Sequence, residues 1–306
     1  MLPAMGHLDG KVAVVTGAGR GIGRGEALLL ASEGAAVVVN DLGTTLDGAG
    51  DETPVAQMVA DEIVAAGGRA VANTDDIASW AGAEALVNQA VSEFGDLNVV
   101  VNNAGVVRDR MSFNMDEDDF DLVIKVHVKG HFAVSKFAAS YWRARSKAKQ
   151  PVYGRLINTT SEAGLWGTAG QSNYAAAKGA ISSLTLTLAR EYQRLGVTVN
   201  AVAPRARTRM TETIGAQLGD PDGDGFDDWH PDNIAPVVGW LASEAAAEVS
   251  GQFFVVTGGR VHLLEGFTEV SSLRQDARWT VDELIERQAE LFGARRSKVP
   301  RFGIQE

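Results

Sequence analysis

Short continuous apolar runs recur along this chain and alternate with stretches of helical periodicity. Val12 to Thr16, Ala35 to Asn40, Arg69 to Asn73, Leu97 to Val101, Arg155 to Thr160, Val197 to Val202 and Phe253 to Thr257 have the length and β-branched content of strands. Apolar residues on consecutive positions, rather than on every second one, mark strands buried on both faces. Between them Ile22 to Ser32, Pro54 to Ala66, Ala81 to Phe94, Asp119 to Lys147, Ser172 to Leu195 and Ile234 to Ser243 carry helical spacing. Strands alternating with helices predict right-handed crossovers and a doubly wound, seven-stranded parallel sheet. Residues 1–259 make this Rossmann-type α/β domain, and 260–306 form a C-terminal extension that packs on it or on a neighbouring subunit. Within the extension, Val281 to Phe292 is predicted as a helix.

Composition narrows the chemistry. The 306 residues are near the size at which one core stops growing, and 45% are apolar, a globular balance. No cysteine is present, which excludes disulfides, thiolate metal sites and a cysteine nucleophile. A net charge of −11 argues against a nucleic-acid surface and against an anionic membrane. No apolar run is long enough to span a bilayer, and no signal segment is visible, so the expected location is the cytoplasm.

The first strand runs into Thr16-Gly17-Ala18-Gly19-Arg20-Gly21-Ile22-Gly23, with four glycines between positions 17 and 23. Such a turn lets backbone approach a pyrophosphate, which the following helix N-terminus attracts. A glycine-rich turn without a ligand is the plainer alternative. Asp41 ends the second strand. A carboxylate there accepts hydrogen bonds from ribose hydroxyls and repels a 2′-phosphate, so NAD is expected over NADP. Arg20 pulls the other way, since it could pair with such a phosphate.

Tyr174 and Lys178 are one helical turn apart, and Ser161 ends the fifth strand. A free phenol titrates near 10, about three pH units too high for proton transfer at neutrality. That gap is about 4 kcal/mol, which one ammonium ~4 Å away supplies at an effective dielectric near 20. Lys178 therefore makes Tyr174 a usable acid and base, with Ser161 holding the substrate oxygen.

In this order and spacing, TGAGRGIG (16 to 23), Asp41, Asp76, NNAG (102 to 105), Ser161, YAAAK (174 to 178) and Pro204 to Thr208 resemble the short-chain dehydrogenase/reductase family, over about residues 8 to 258. The resemblance implies hydride transfer between a secondary alcohol or ketone and a nicotinamide cofactor. It implies cofactor contacts at Gly17, Gly19, Arg20, Gly21, Ile22, Gly23, Asp41, Asp76, Ile77, Asn103, Ala104, Gly105, Tyr174, Lys178, Pro204 and Thr208. It also implies a homodimer or homotetramer. Two departures stand out: His127 replaces an asparagine that serves a proton relay, and Arg205 replaces the glycine after the proline. His127 is either a relay group beside Ser161, Tyr174 and Lys178 or a structural substitute.

Residues 40–43, 100–110, 126–130 and 209–211 are similar to the (3R)-hydroxyacyl-CoA dehydrogenase part of peroxisomal multifunctional enzymes of type 2, and to bacterial single-domain relatives. The implied substrate is a 3-hydroxyacyl-CoA thioester, with a steroid side-chain ester included. Arg205, Arg207 and Arg209 could meet CoA phosphates, or be solvated loop charges. A 3-oxoacyl-carrier-protein reductase, a hydroxysteroid dehydrogenase and a cofactor-binding regulatory protein remain as alternatives. No metal is expected: Asp220 to Asp228 copies half a calcium loop but has Pro231 where the bidentate glutamate belongs, and His127 with His131 lacks a third ligand.

Overall fold

The computed structural model describes residues 6–43, 54–208, 225–293 and 302–304. Each βα unit is visible in turn: β1 (Val12–Thr16), α1 (Gly21–Ser32), β2 (Ala36–Asn40), α2 (Val55–Ala65), β3 (Arg69–Asn73), α3 (Trp80–Phe94) and β4 (Val99–Asn102). The second half continues with α4 (Glu117–Ile124), α5 (Gly130–Lys147), β5 (Gly154–Thr159), α6 (Glu162–Trp166), α7 (Ser172–Tyr192), β6 (Val197–Arg205), α8 (Ala235–Ala242), β7 (Phe253–Thr257), β8 (Arg260–Leu264) and α9 (Val281–Phe292).

The strands lie in the order β3-β2-β1-β4-β5-β6-β7-β8. The first seven are parallel, and β1 pairs with both β2 and β4, so the winding reverses between β1 and β4. In such sheets a crevice opens at the carboxyl ends of the strands at that switch point. Two apolar layers sandwich the sheet. Leu30, Val59, Val238 and Leu241 pack one face, and Leu86, Val134, Phe137 and Trp142 the other.

The sheet has one strand more than the periodicity predicts. Gly258, at φ +52, and Gly259 turn the chain back, and β8 pairs antiparallel with β7 from Phe253↔Leu264 to Thr257↔Arg260. The first residues of the extension thus join the sheet. The predicted helix over 119–147 starts earlier, where Asp116 accepts the Asp119 N–H at 2.9 Å, and is interrupted by one π-helical turn over Lys125–Lys129. Helix α9 forms at its predicted bounds, opened by a reciprocal Thr280–Glu283 capping box. None of its residues is buried. Among the described residues no helix is long and apolar enough to cross a membrane.

Candidate active site

A cleft of about 440 Å³ opens at the switch point and runs from the ends of β1 and β2 to Ser161, Tyr174 and Lys178. Its first wall is the glycine turn. Gly17 (φ +64) lies so close to the end of β4 that a Cβ would stand 2.7 Å from Ala104 Cα. Gly21 (φ +52) faces open space instead, its Cβ direction meeting nothing nearer than Thr208 Cγ2 at 3.8 Å. A Cβ at Gly23 would strike the carbonyl of Gly17, so that glycine lets α1 close on its own turn. Arg20 gives α1 no side-chain cap, and the first N–H groups of the helix lie where an anion would bind. These features fit a dinucleotide: a backbone cradle that side chains would fill, ending on an uncapped helix start.

Asp41 closes the far end of the cleft. Its Oδ2 accepts the Gly19 N–H at 2.9 Å and its Oδ1 the Gly43 N–H at 2.8 Å. A carboxylate has about four acceptor positions, so two remain for other donors. Gly19 therefore orients Asp41 and does not itself line the cleft, unlike the other residues expected there. Asp76 forms a turn through the Ala78 N–H at 2.8 Å, which brings Ile77 to the cleft wall. Asn103 braces the site from behind: its amide donates to the carbonyls of Thr16 and Gly17, both at 3.1 Å, while its own N–H is held by Thr16 Oγ1 at 3.0 Å. Ala104 and Gly105 continue that wall.

The other end of the cleft is built on β5 and α7. Lys178 is 2% exposed, and its ammonium donates to the Thr159 carbonyl at 2.6 Å. Burial pushes it down to about 7. Its Nζ lies 5.5 Å from the centre of the Tyr174 ring. Burial also pushes the Tyr174 phenol up, to about 12, against the lowering effect of a hydrogen bond from Ser161 and with a smaller rise from Asp109. Spacing alone makes Lys178 the group that brings the phenol down; in the fold burial dominates, and the lowering influence comes from Ser161. Ser161 caps α6, its Oγ accepting the Ala163 N–H at 3.2 Å. Gly164 lets α6 lie flush on α7, since a Cβ there would stand 2.5 Å from the carbonyl carbon of Lys178.

His127 sits inside the π turn, fully buried and edge-on to Tyr174 with ring centres 5.3 Å apart. Its Nε2 faces both the N–H of Val106, at 3.1 Å, and the carbonyl of Val106, at 2.8 Å. Burial first, then the charge of Lys178, pushes it down to about 3, so the ring is neutral at working pH. Pro204 and Thr208 line the cleft opposite the glycine turn. Arg205 continues β6 in register with Thr257, and its guanidinium grips the Glu162 carboxylate through two hydrogen bonds. Arg207 is likewise bidentate to Asp227, at 2.8 and 3.2 Å. Two of the three arginines offered for CoA phosphates are thus tied to carboxylates of the chain itself, while the third, Arg209, lies outside the described residues, as does Asp220.

Two residues of the site carried no sequence signal: Thr159 acts through a backbone carbonyl, and Glu162 through a partner distant in sequence. Thr16 stood in the glycine-turn motif, but its hydroxyl's hold on the Asn103 N–H is visible only in the fold. Among the described residues no group of three or more His, Asp or Glu is arranged to hold a metal ion.

Residues 11–219 match the short chain dehydrogenase family model. The chain is 49% identical over 263 residues to the hydroxyacyl-CoA dehydrogenase ChsB1 of Mycobacterium tuberculosis, covering 84% of this chain and 80% of that one. It is 40% identical over 252 residues to the peroxisomal multifunctional enzyme type 2 of Mus musculus, covering 82% of this chain but 32% of that enzyme's length. A crystal structure of a short chain dehydrogenase from Mycobacterium avium superimposes with a TM-score of 0.86 at 49% identity, covering 98% of this chain and 100% of that one. The chain belongs to the short-chain dehydrogenase family, oxidoreductases that act on CH–OH groups with a nicotinamide cofactor.

Proposed function

We propose that the protein oxidises a (3R)-3-hydroxyacyl-CoA thioester to the 3-oxoacyl-CoA, with NAD as acceptor. The observation that carries the reaction is the meeting of Ser161, Tyr174 and Lys178 at one end of a cleft whose other end is Asp41. The similarity to a hydroxyacyl-CoA dehydrogenase supports the substrate. Asp41, already oriented by two backbone N–H groups, supports NAD, because a 2′-phosphate carries about two negative charges into that carboxylate.

A nicotinamide cofactor, when bound in its oxidised form, supplies the hydride acceptor and a positive charge. The rest falls to the chain. Ser161 holds the alcohol oxygen by a hydrogen bond. Tyr174, as the phenolate, takes the hydroxyl proton and becomes the neutral phenol. The Lys178 ammonium, 5.5 Å from the ring centre, attracts that phenolate by about 3 kcal/mol at an effective dielectric near 20. The Thr159 carbonyl fixes the ammonium on the side of the phenol. We assign His127, neutral, with Nε2 on the Val106 backbone and its ring edge-on to Tyr174, to holding the wall beside this pair, the structural alternative to a proton relay.

A free secondary alcohol such as a hydroxysteroid is a second reading. It is favoured by the internal pairing of Arg205 and Arg207, which leaves their charge already answered. We take the C-terminal extension as a subunit interface of a homodimer or homotetramer. Tyr174→Phe tests the chemistry: turnover is expected to fall by about 10³-fold or more while cofactor affinity stays within about twofold. Near-wild-type turnover in that variant would sink the mechanism.

A further inference from the structure

Glu162 and Arg205 take no part in the chemistry above, yet each is the immediate neighbour of a site residue. Glu162 follows Ser161 and opens α6; it is 8% exposed. Arg205 follows Pro204 and ends β6. Arg205 Nε donates to one carboxylate oxygen and Nη2 to the other, the fork-to-fork geometry that fixes orientation as well as distance. The arginine is not there for its backbone. Among the described residues Lys149 is the one non-glycine with positive φ, so position 205 has no need of glycine in this chain.

The pair joins two segments that reach the cleft from different crossovers. One is the turn after β5, which carries Ser161. The other is 204–208, which carries Pro204 and Thr208. Ser161 Oγ is also the cap of α6, so the hydroxyl moves with that helix. The helix is held at its middle by the contact of Gly164 with Lys178 and at its first residue by Arg205. The outer side of the pair is lined by the C-terminal residues. Phe302 lies edge-on to Trp166, ring centres 6.2 Å apart, and the Cβ direction of Gly303 points 3.4 Å from Arg205 Nη2.

The geometry points to Glu162 and Arg205 as a positioning pair that sets the Ser161 hydroxyl against the Tyr174 phenol by tying the start of α6 to the end of β6. It rests on the reading of Ser161 and Tyr174 as the groups that face the substrate oxygen. The hydrogen bond from Ser161 lowers the Tyr174 phenol, so breaking the pair raises it.

The test uses full-length protein saturated with NAD and labelled with ¹³C at the ring ζ carbon of tyrosine. The chain has 4 tyrosines, and Tyr174→Phe identifies the resonance. Its pH titration is followed in Glu162→Gln, in Arg205→Met, and in the charge-reversed double variant Glu162→Arg with Arg205→Glu. Each single change is expected to raise the Tyr174 midpoint, in the direction given by Ser161→Ala, with partial return in the double variant. Turnover of (R)-3-hydroxybutyryl-CoA is expected to fall about tenfold in the singles, with the NAD dissociation constant unchanged within about twofold. If a single variant does not fold, the double variant carries the same comparison. A Tyr174 midpoint unmoved in the folded variants overturns the proposal. A moved midpoint together with full activity in Tyr174→Phe leaves the positioning pair standing and overturns the catalytic reading instead.

Discussion

Replacing Lys178 by methionine is expected to stabilise the cofactor-free protein while abolishing its activity. Lys178 is held at about 7 instead of its ordinary 10.5, by burial. At about 1.4 kcal/mol per pH unit, charging this lysine inside the fold costs about 5 kcal/mol, and about 4 kcal/mol of that is felt at pH 7. Methionine has similar length and no charge, so the cost disappears. Against this, the Thr159 carbonyl loses its donor at 2.6 Å, a loss of about 1–3 kcal/mol. The net expectation is a gain of about 2 kcal/mol at pH 7. The sign follows from proton counting. Between 7 and 10.5 the unfolded chain binds the proton and the folded chain does not, so wild-type stability rises with pH through that window. The gap between variant and wild type is therefore widest at pH 7 and below, and closes towards pH 10. Urea denaturation at pH 7 and pH 10 measures it, beside initial-rate turnover. A variant less stable than wild type at pH 7, or a gap that does not shrink with pH, refutes the reasoning.

Glu26 provides the opposite pH dependence. It is 1% exposed on α1 and pushed by burial from 4.5 up to about 8. The folded state keeps its proton across that window, so the stability it lends is complete below 4.5 and is lost as pH rises through 8. Glu26→Gln should match wild type in urea at pH 4.5 and exceed it by up to about 5 kcal/mol at pH 9; equal midpoints at pH 9 would contradict this. Gly164→Ala places a methyl 2.5 Å from the Lys178 carbonyl carbon, so α6 must lift off α7. Turnover is expected to drop at least tenfold with a loss of about 2 kcal/mol in stability, and a fully active variant would show that the contact is slack. Asp41→Asn removes the charge while keeping the shape, and the NAD over NADP ratio in kcat/KM should fall about tenfold or more. An unchanged ratio would move the discrimination elsewhere, with Arg20 the first residue to examine.

The inner parallel strands were legible because they are buried on both faces and read as apolar runs, whereas the edge strand β3, RAVAN, is only partly buried. Strand β8 was not, although Gly258 and Gly259 between two apolar segments are a hairpin signal. Its exposed Val261 and Leu263 make it look like the start of a tail. Helix α6 is five residues long, too short for any periodicity. Ser161, Tyr174 and Lys178 could be placed because side-chain chemistry at fixed spacing defines them. The partner of the lysine is a backbone carbonyl, which every residue has, so Thr159 could not. Burial was the larger gap. From spacing alone the lysine governs the phenol; in the fold desolvation dominates both groups and sets them apart. The arginines after Pro204 look free in a sequence and are ion-paired in space, to Glu162 and Asp227.

The central claim is tested most directly by initial-rate oxidation of (R)-3-hydroxyacyl-CoA esters of increasing chain length, with NAD and NADP in parallel, followed by the absorbance of the reduced cofactor. The account predicts turnover with NAD, little with NADP, and none in Tyr174→Phe. Absence of turnover at every chain length, alongside rapid oxidation of a free hydroxysteroid or another simple secondary alcohol, would contradict the thioester reading.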